Sequence, residues 1–276
     1  MAEARRVVRA ALREDLGRGD ITTRAVVPRG ALAAAAVIAK EKGVVAGLPL
    51  AALAFRGLSR KVRFVPLVRE GAAVKAGKVV AKVSGPLGPI LTGERVFLNL
   101  LSRLSGIATL ARAFSERAGR RVKVLDTRKT TPLLRALEKY AVAAGGGVNH
   151  RMTLGEAFLI KDNHIAAAGS IALAVKRARQ ARPGMQVEVE AESLAQVREA
   201  ISARVDTILL DNMGRVMLKK AIRMARGKAK VEVSGGVNLK NIRRIAALRP
   251  DFVSVGALTH SARAMDFSLE VLPRRI

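Results

Sequence analysis

Three polar runs lie close together in the middle of the chain: residues 126–131 (DTRKTT), 145–151 (GGGVNHR) and 161–164 (KDNH). Together they place two arginines, two lysines and two histidines among glycines, hydroxyls and amides. Guanidinium and ammonium groups bind carboxylates and phosphates, and several of them can hold one ligand from different sides. The runs therefore predict a site for a small molecule with several negative charges.

The elements that position these runs are strands. β-rich segments alternate with helical patterns from residue 122 onward, at 122–126, 157–161, 187–191, 207–211, 231–234 and 252–255. This alternation predicts a parallel sheet of βα units. A seventh, weakly marked strand near Val148 is possible. In a β/α barrel the catalytic groups come from the carboxyl ends of the strands, which is where the polar residues lie.

The first strand ends are cationic. Arg128 and Lys129 follow the first strand, and Lys161 ends the next one, with Arg151 in the connection between them. Each could be a surface charge, but their repeated position beside strand ends favours a ligand site. We expect these four residues to bind a substrate with more than one carboxylate or phosphate.

The later strand ends change in character. Glu190 and Asp211 could hold Mg²⁺ with a diphosphate, or the hydroxyls of a ribose. Glu188 shares a strand face with Glu190, and we assign the role to Glu190 because it lies nearer the strand end. The last two ends are rich in small residues, where a backbone can approach a phosphate. We expect a terminal phosphate to be held by Ser234, Gly235, Gly256 and His260.

Composition narrows the class of protein. The 276 residues contain no cysteine and only three histidines, which excludes disulfides, thiolate catalysis and cysteine-based metal sites. The start of the chain lacks an apolar signal-peptide core, and no apolar run approaches the ~18 residues of a membrane span. The sequence therefore predicts a cytoplasmic enzyme with no membrane partner.

The formal net charge of +28 raises a different possibility, a basic nucleic-acid-binding protein. The basic residues are spread along the whole chain, and aromatic residues make up only 3% of it. A base-stacking surface would have little to use. We therefore expect no specific nucleic-acid partner and interpret the charge as a solvated surface that attracts anionic substrates.

The amino-terminal half reads as a helix over 3–16 with Gly17 as its C-cap, then short β-runs, then a long helix over 92–118. Thr92 is the expected N-cap of the long helix, which places Arg95 in its first turn. Nothing in the local sequence gives Arg95 a function.

Long motifs resemble the quinolinate phosphoribosyltransferase family: residues 14–23, 92–109, 126–132, 145–151, 160–165, 187–194, 208–213, 231–238 and 253–260. The resemblance covers nearly the whole chain. It implies an N-terminal α/β sandwich over 1–108 and a C-terminal incomplete α/β barrel with parallel strands over 109–265, with a tail, 266–276, that packs on the first domain. It also implies a homodimer with shared active sites, in which Arg95 reaches the partner's site.

The family's reaction transfers phosphoribosyl from phosphoribosyl pyrophosphate to quinolinate with decarboxylation, giving nicotinate mononucleotide, pyrophosphate and CO₂ in NAD biosynthesis. The resemblance implies that the quinolinate site is formed by Arg95, Arg128, Arg151 and Lys161, lined by His150 and Lys129. Glu190 and Asp211 take the ribose and the Mg²⁺-diphosphate, and the 5-phosphate lies on Ser234, Gly235, Gly256 and His260. The residues expected to be catalytic are Lys129, Lys161, Glu190 and Asp211.

The sequence departs from the family pattern at two places. Thr153 and Gly155–Glu156 stand where more apolar or aromatic character is expected, which puts the acceptor-site wall in doubt. Leu133 follows Pro132 where glycine is expected. The nearest alternatives are a nicotinate phosphoribosyltransferase and the molybdenum-associated relative of the same fold. Both need fewer cations for the acceptor than this chain supplies.

Overall fold

The computed structural model describes residues 2–272. Its helices are α1 (Ala2–Leu16), α2 (Ile21–Val26), α3 (Leu48–Leu58), α4 (Leu87–Ala118), α5 (Arg135–Ala144), α6 (Asp162–Ala168), α7 (Ile171–Ala181), α8 (Leu194–Ser202), α9 (Arg215–Ala225), α10 (Ile242–Ala246) and α11 (Ala257–His260). Its strands are β1 (Leu32–Ala39), β2 (Gly43–Val44), β3 (Arg63–Pro66), β4 (Ala73–Val74), β5 (Val79–Pro86), β6 (Lys123–Leu125), β7 (Phe158–Ile160), β8 (Val187–Ala191), β9 (Thr207–Asp211), β10 (Lys230–Ser234), β11 (Phe252–Ser254) and β12 (Phe267–Val271).

The described chain forms two compact units. The first contains residues 2–112, 130–146 and 259–272, and the second contains 113–129 and 147–258. Segment 130–146 thus belongs to the first unit, whereas the sequence-based boundary at 108 assigns it to the barrel domain. Among the described residues, none of the helices combines the length and the hydropathy that a membrane span requires.

The first unit is built on an antiparallel sheet in the order β12-β1-β5-β3. The apolar face of this sheet and helices α1, α3 and α4 enclose a core that includes a cluster of three rings, Phe55, Phe64 and Phe97, with centroids 5.4–6.5 Å apart. From the far end of the chain, β12 pairs with β1 from Ala35–Val271 to Ala39–Phe267. The predicted packing of the tail on this unit falls on β12 as far as residue 272, and residues 273–276 lie outside the described part.

Helix α1 agrees with the predicted helix to within one residue, and Gly17 follows it with a φ of +47° as a left-handed C-cap. The predicted start of the long helix is wrong. α4 begins at Leu87, and Pro89 lies in its first turn, where proline is tolerated. Thr92 is therefore not an N-cap. Its hydroxyl donates to Asp20 at 2.9 Å. Because the helix begins at Leu87 and not just after Thr92, Arg95 lies nearly two turns further into it than predicted.

A tight turn at 131–134 explains the glycine expected at position 133. The N–H of Leu134 donates to the Thr131 carbonyl at 3.0 Å, and Leu133 has a φ of +66°. Proline followed by a residue with positive φ is typical of a type II turn, in which glycine is favoured at the second position. Leu133 accepts this conformation with its side chain 72% exposed.

The second unit is a six-stranded parallel sheet in the order β6-β11-β10-β9-β8-β7, with helices between successive strands. All five residues of β8 are buried, as expected for a strand covered on both faces. The predicted seventh strand is reduced to one parallel bridge between Val148 and Leu125 of β6. The observed order, with β6 paired to β11, agrees with the predicted incomplete α/β barrel.

Candidate active site

The carboxyl ends of β7, β8 and β9 bring opposite charges together. Lys161 comes directly after β7, and its Nζ lies 2.5 Å from Oε2 of Glu190 in β8. The Glu190 side chain is only 9% exposed, whereas that of Lys161 is 47% exposed. The ammonium group therefore connects a nearly buried carboxylate with the solvent side of the sheet edge.

Three carboxylates form a cluster at this edge, which we call the open acid cluster: Glu190, Glu192 and Asp211, with one oxygen of each within 4.8 Å of the others. The sequence-based site contains two of them and misses Glu192. The signal was present, because residues two apart in an extended segment point to the same side. Mg²⁺ is bound through a few carboxylates together with phosphate and water oxygens, so this donor set fits the cation.

A second acid group, the buried acid cluster, consists of His150, Glu188 and Glu232. His150 Nε2 lies 3.0 Å from Glu188 Oε2 and 3.6 Å from Glu232 Oε2. Burial and the nearby charge of Glu188 raise the pKa of Glu232 to about 8, against a smaller lowering by His150. Sequence reasoning missed Glu232, although a glutamate between two buried valines of one strand is itself unusual.

Two guanidinium groups, Arg128 and Arg151, lie close to each other in the second unit, and the charge of Glu188 in the buried acid cluster acts on Arg151. Arg151 donates from Nη1 to the Ala157 carbonyl at 2.8 Å. Desolvation lowers the pKa of Arg151, and the like charge of Arg128 lowers it further. Nε of Arg128 is buried without a hydrogen-bond partner among the described residues. Like charges held together with a buried unused donor are suited to receiving an anion.

Glycine is required at the end of β10. Gly235 has a φ of +89°, and a Cβ there would lie 2.1 Å from Oδ1 of Asn212. Asn212 also has a positive φ, +50°, and its N–H donates to the Ser234 carbonyl at 3.2 Å. The ends of β9 and β10 are thus locked side by side, with the backbone of Ser234 and Gly235 half-buried at the sheet edge.

The structure divides the predicted site residues between the two units. The second unit contains Arg128, Lys129, His150, Arg151, Lys161, Glu190, Asp211, Ser234, Gly235 and Gly256. The first contains Arg95, exposed on α4, and His260, whose Nδ1 lies 2.6 Å from Ser261 Oγ. In the loop after Arg151, where the sequence departs from the family pattern, Thr153 and Glu156 are exposed.

Two family models match this chain in succession. The N-terminal domain of quinolinate phosphoribosyl transferase matches residues 20–105, and the C-terminal domain of the same enzyme matches residues 107–270. The chain belongs to the quinolinate phosphoribosyltransferase family. The family resemblance, the enzyme class and the α/β fold predicted from the sequence are thereby confirmed.

Relatives of the family match over almost the full chain. A probable carboxylating nicotinate-nucleotide pyrophosphorylase from Synechocystis is 46% identical over 268 residues, covering 95% of this chain and 90% of the relative. The corresponding Bacillus subtilis protein is 42% identical over 260 residues, covering 94% and 90%. The crystal structure of NadC from Streptococcus pyogenes superposes with a TM-score of 0.93 at 44% identity, covering 97% of this chain and 96% of that one.

Proposed function

We propose that this quinolinate phosphoribosyltransferase family member transfers phosphoribosyl from phosphoribosyl pyrophosphate to the ring nitrogen of quinolinate. Pyrophosphate and CO₂ leave, and nicotinate mononucleotide for NAD biosynthesis is formed. The observation that carries the proposal is the presence, in one unit, of a guanidinium pair and the open acid cluster joined to Lys161. The first suits a dicarboxylate and the second suits a ribose with a diphosphate.

The acceptor half of the site is assigned to cations. Arg128 and Arg151 bind the quinolinate carboxylates, because planar guanidinium groups match carboxylates bidentately. Lys161 adds a third charge from the next strand. Lys129 and His150 line the same pocket, and Arg95 completes it across a subunit interface.

The donor half is assigned to the later strand ends. Glu190 and Asp211 receive the ribose hydroxyls, with Ser234, Gly235, Gly256 and His260 at the 5-phosphate. The open acid cluster fits Mg²⁺ by its oxygen donors, with Glu190 and Asp211 as the ligands on the protein side. When bound, the cation neutralises charge on the leaving diphosphate.

The chemistry follows from this division. The bond between ribose C1 and the diphosphate breaks as the lone pair of the pyridine nitrogen forms the new N–C1 bond. Positive charge develops at C1, where carboxylates already in place stabilise it without reorganisation. The ring nitrogen is then cationic and stabilises the electron pair that stays on C2 when the 2-carboxylate leaves as CO₂, and that pair takes up a proton. Residues that hold the ring and exclude water suffice for this second step.

The assembly proposed is a homodimer with shared active sites, located in the cytoplasm. The proposal of a shared site rests on the family resemblance and on Arg95, which is exposed and belongs to a different unit from the other acceptor cations. Mixing an inactive Arg95→Ala protein with an inactive Lys161→Ala protein should restore activity, because one site of each mixed dimer carries neither substitution. No recovery, with subunit exchange demonstrated by mass spectrometry, would overturn the shared site.

A direct assay tests the activity. Purified protein is given phosphoribosyl pyrophosphate, Mg²⁺ and either quinolinate or nicotinate, and pyrophosphate and CO₂ are measured. We expect both products with quinolinate and neither with nicotinate. Turnover of nicotinate without CO₂ would favour the nicotinate enzyme. The human nicotinic acid phosphoribosyltransferase is 13% identical to this chain and shares its fold at a TM-score of 0.65.

A further inference from the structure

The buried acid cluster fixes the His150 ring from both sides. Nδ1 of the ring lies 2.8 Å from the backbone N of Arg151, which donates its N–H to it. A nitrogen that accepts an N–H carries no proton of its own, so the ring proton must lie on Nε2. Nε2 then donates to Glu188 at 3.0 Å. Both ring nitrogens are therefore engaged within the protein, and the arrangement suits a neutral imidazole.

The backbone of His150 is held as firmly as its ring. Its N–H donates at 2.9 Å to Oδ1 of Asp126, which is fully buried at the end of β6. Glu232, 2% exposed, lies on the other side of Nε2 at 3.6 Å. Burial and the neighbouring Glu188 raise the pKa of Glu232 to about 8 even against the lowering that a charged ring would cause, so Glu232 holds its proton at neutral pH in either state of the ring. Glu188 is the acceptor of the Nε2–H.

The ring is connected through Arg151 to the guanidinium pair, Arg128 and Arg151. The backbone N–H of Arg151 is bound to Nδ1 of His150, and its Nη1 is bound to the Ala157 carbonyl. Desolvation lowers the pKa of Arg151, and the nearby charge of Arg128 lowers it further, so the two guanidinium groups repel each other. A guanidinium placed against a like charge needs its backbone fixed if it is to keep one position.

We propose that His150 is a positioning residue: Glu188 and Glu232 hold it as the neutral tautomer protonated at Nε2, and Nδ1 in turn holds the backbone of Arg151. This goes beyond lining the pocket, and it rests on the proposed function in that Arg151 binds a quinolinate carboxylate. His150 then contributes to quinolinate affinity through Arg151 and adds no positive charge to the site.

The tautomer is tested on the wild-type protein without any assay of activity. Two-dimensional ¹⁵N spectra of imidazole rings distinguish the cation from each neutral tautomer, and the chain has only three histidines. His164→Ala and His260→Ala spectra assign the remaining ring. We expect His150 at neutral pH to show protonated Nε2 and bare Nδ1. An imidazolium pattern, or a proton on Nδ1, would overturn the inference.

Two variants separate the two sides of the ring. In His150→Asn, Oδ1 stands at the position of Nδ1 and can still accept the Arg151 N–H. In His150→Gln, Nε2 stands at the position of the ring Nε2 and can still donate to Glu188, but the acceptor is lost.

We expect His150→Gln to raise the KM for quinolinate about tenfold, as loss of one hydrogen bond of about 1.4 kcal/mol would do. His150→Asn should raise it threefold or less, and the KM for phosphoribosyl pyrophosphate should stay unchanged in both. Equal increases would indicate direct contact with substrate, and no increase in either would exclude a role; both results contradict the proposal. If the wild-type protein has no activity but shows the expected tautomer, the proposed function fails and the ring assignment stands.

Discussion

Strand β8 carries two glutamates with contrasting surroundings. Glu188 and Glu190 lie two residues apart and share a face. Glu190 belongs to the open acid cluster, where an ammonium and two further carboxylates reach it from the strand ends. Glu188 belongs to the buried acid cluster, where its partners are a histidine and a glutamate that is almost inaccessible.

The contrast shows that the position of a glutamate along the strand decides which groups its carboxylate contacts. At the strand end, the Glu190 carboxylate lies beside an exposed lysine and two further carboxylates, so its charge can act on a ligand held by that group. One pleat deeper, Glu188 contacts protein groups, and Glu232 beside it keeps its proton because burial and the neighbouring charge both raise its pKa. Substitutions in the two clusters should therefore have different signatures.

The largest loss of activity is expected when a lysine at the strand ends is removed. Lys161→Ala and Lys129→Ala should fold normally and lose turnover on the order of 10²–10³, because a pre-placed charge is removed from the site. Steady-state kinetics with both substrates provide the test. Lys228→Ala, an exposed lysine at the amino-terminal end of β10, serves as the matched control. A folded variant with wild-type kcat would exclude its lysine from catalysis.

The next effect separates the two substrates. Glu190→Gln and Asp211→Asn should slow sugar transfer strongly and leave quinolinate binding close to that of the wild type, because their charge acts at ribose C1. Calorimetric titration with quinolinate alone and single-turnover kinetics measure the two quantities. A collapse of quinolinate affinity with retained phosphoribosyl pyrophosphate binding would reverse our assignment of the two halves.

The buried cluster should instead appear in the pH dependence of stability. Because burial raises the pKa of Glu232 from 4.5 to about 8, the native protein keeps a proton that the unfolded chain releases. The stability that this proton contributes is therefore fully present below about pH 4.5, and it is lost as the pH rises through 8. Glu232→Gln has no proton to lose. As the pH rises, its free energy of unfolding should therefore increase relative to that of the wild type by up to about 1.4 kcal/mol per pH unit.

Urea unfolding at several pH values between 5 and 9 measures this difference in slope, whatever the offset between the two proteins. Glu192→Gln is the matched control, because the same change in the exposed member of the open cluster should leave the slope unaltered. Parallel curves for Glu232→Gln and the wild type would show that Glu232 is ionised in the native protein.

The smallest effect is expected at Glu192 itself. An exposed charge interacts weakly with its neighbours, typically by less than about 1 kcal/mol. Glu192→Gln should raise the Mg²⁺ concentration for half-maximal activity by about fivefold or less, with kcat at saturating Mg²⁺ unchanged. A loss as large as that of Glu190→Gln would make all three carboxylates equal partners and remove the distinction by depth within the open cluster.

Much of the second unit could be predicted because its strands are apolar runs bounded by polar residues. The segments predicted at 187–191 and 207–211 coincide with β8 and β9, and the neighbouring predictions differ by one or two residues. The start of α4 was missed because Gly88–Pro89 resembles a breaker, although proline in a first turn is harmless.

The open end of the site was also accessible from sequence, because charges after apolar runs are conspicuous. The buried acid cluster was not, since it depends on which strands are neighbours. Glu188 and Glu232 come from β8 and β10, with β9 between them, so the strand order of the folded sheet brings their side chains to one histidine. The spacing of these residues along the chain does not predict that they come together.

The pairing of β12 with β1 has a consequence for synthesis on the ribosome. β1 ends at Ala39 and its partner ends at Val271, so one edge of the first sheet waits for more than two hundred residues of translation. At roughly 5–20 residues per second this takes on the order of 10–50 s, during which β1 exposes an unpaired edge. All six strands of the parallel sheet emerge within that interval. The nascent chain therefore has its second sheet available before its first can be completed, and a chaperone that shields β1 would act in that interval.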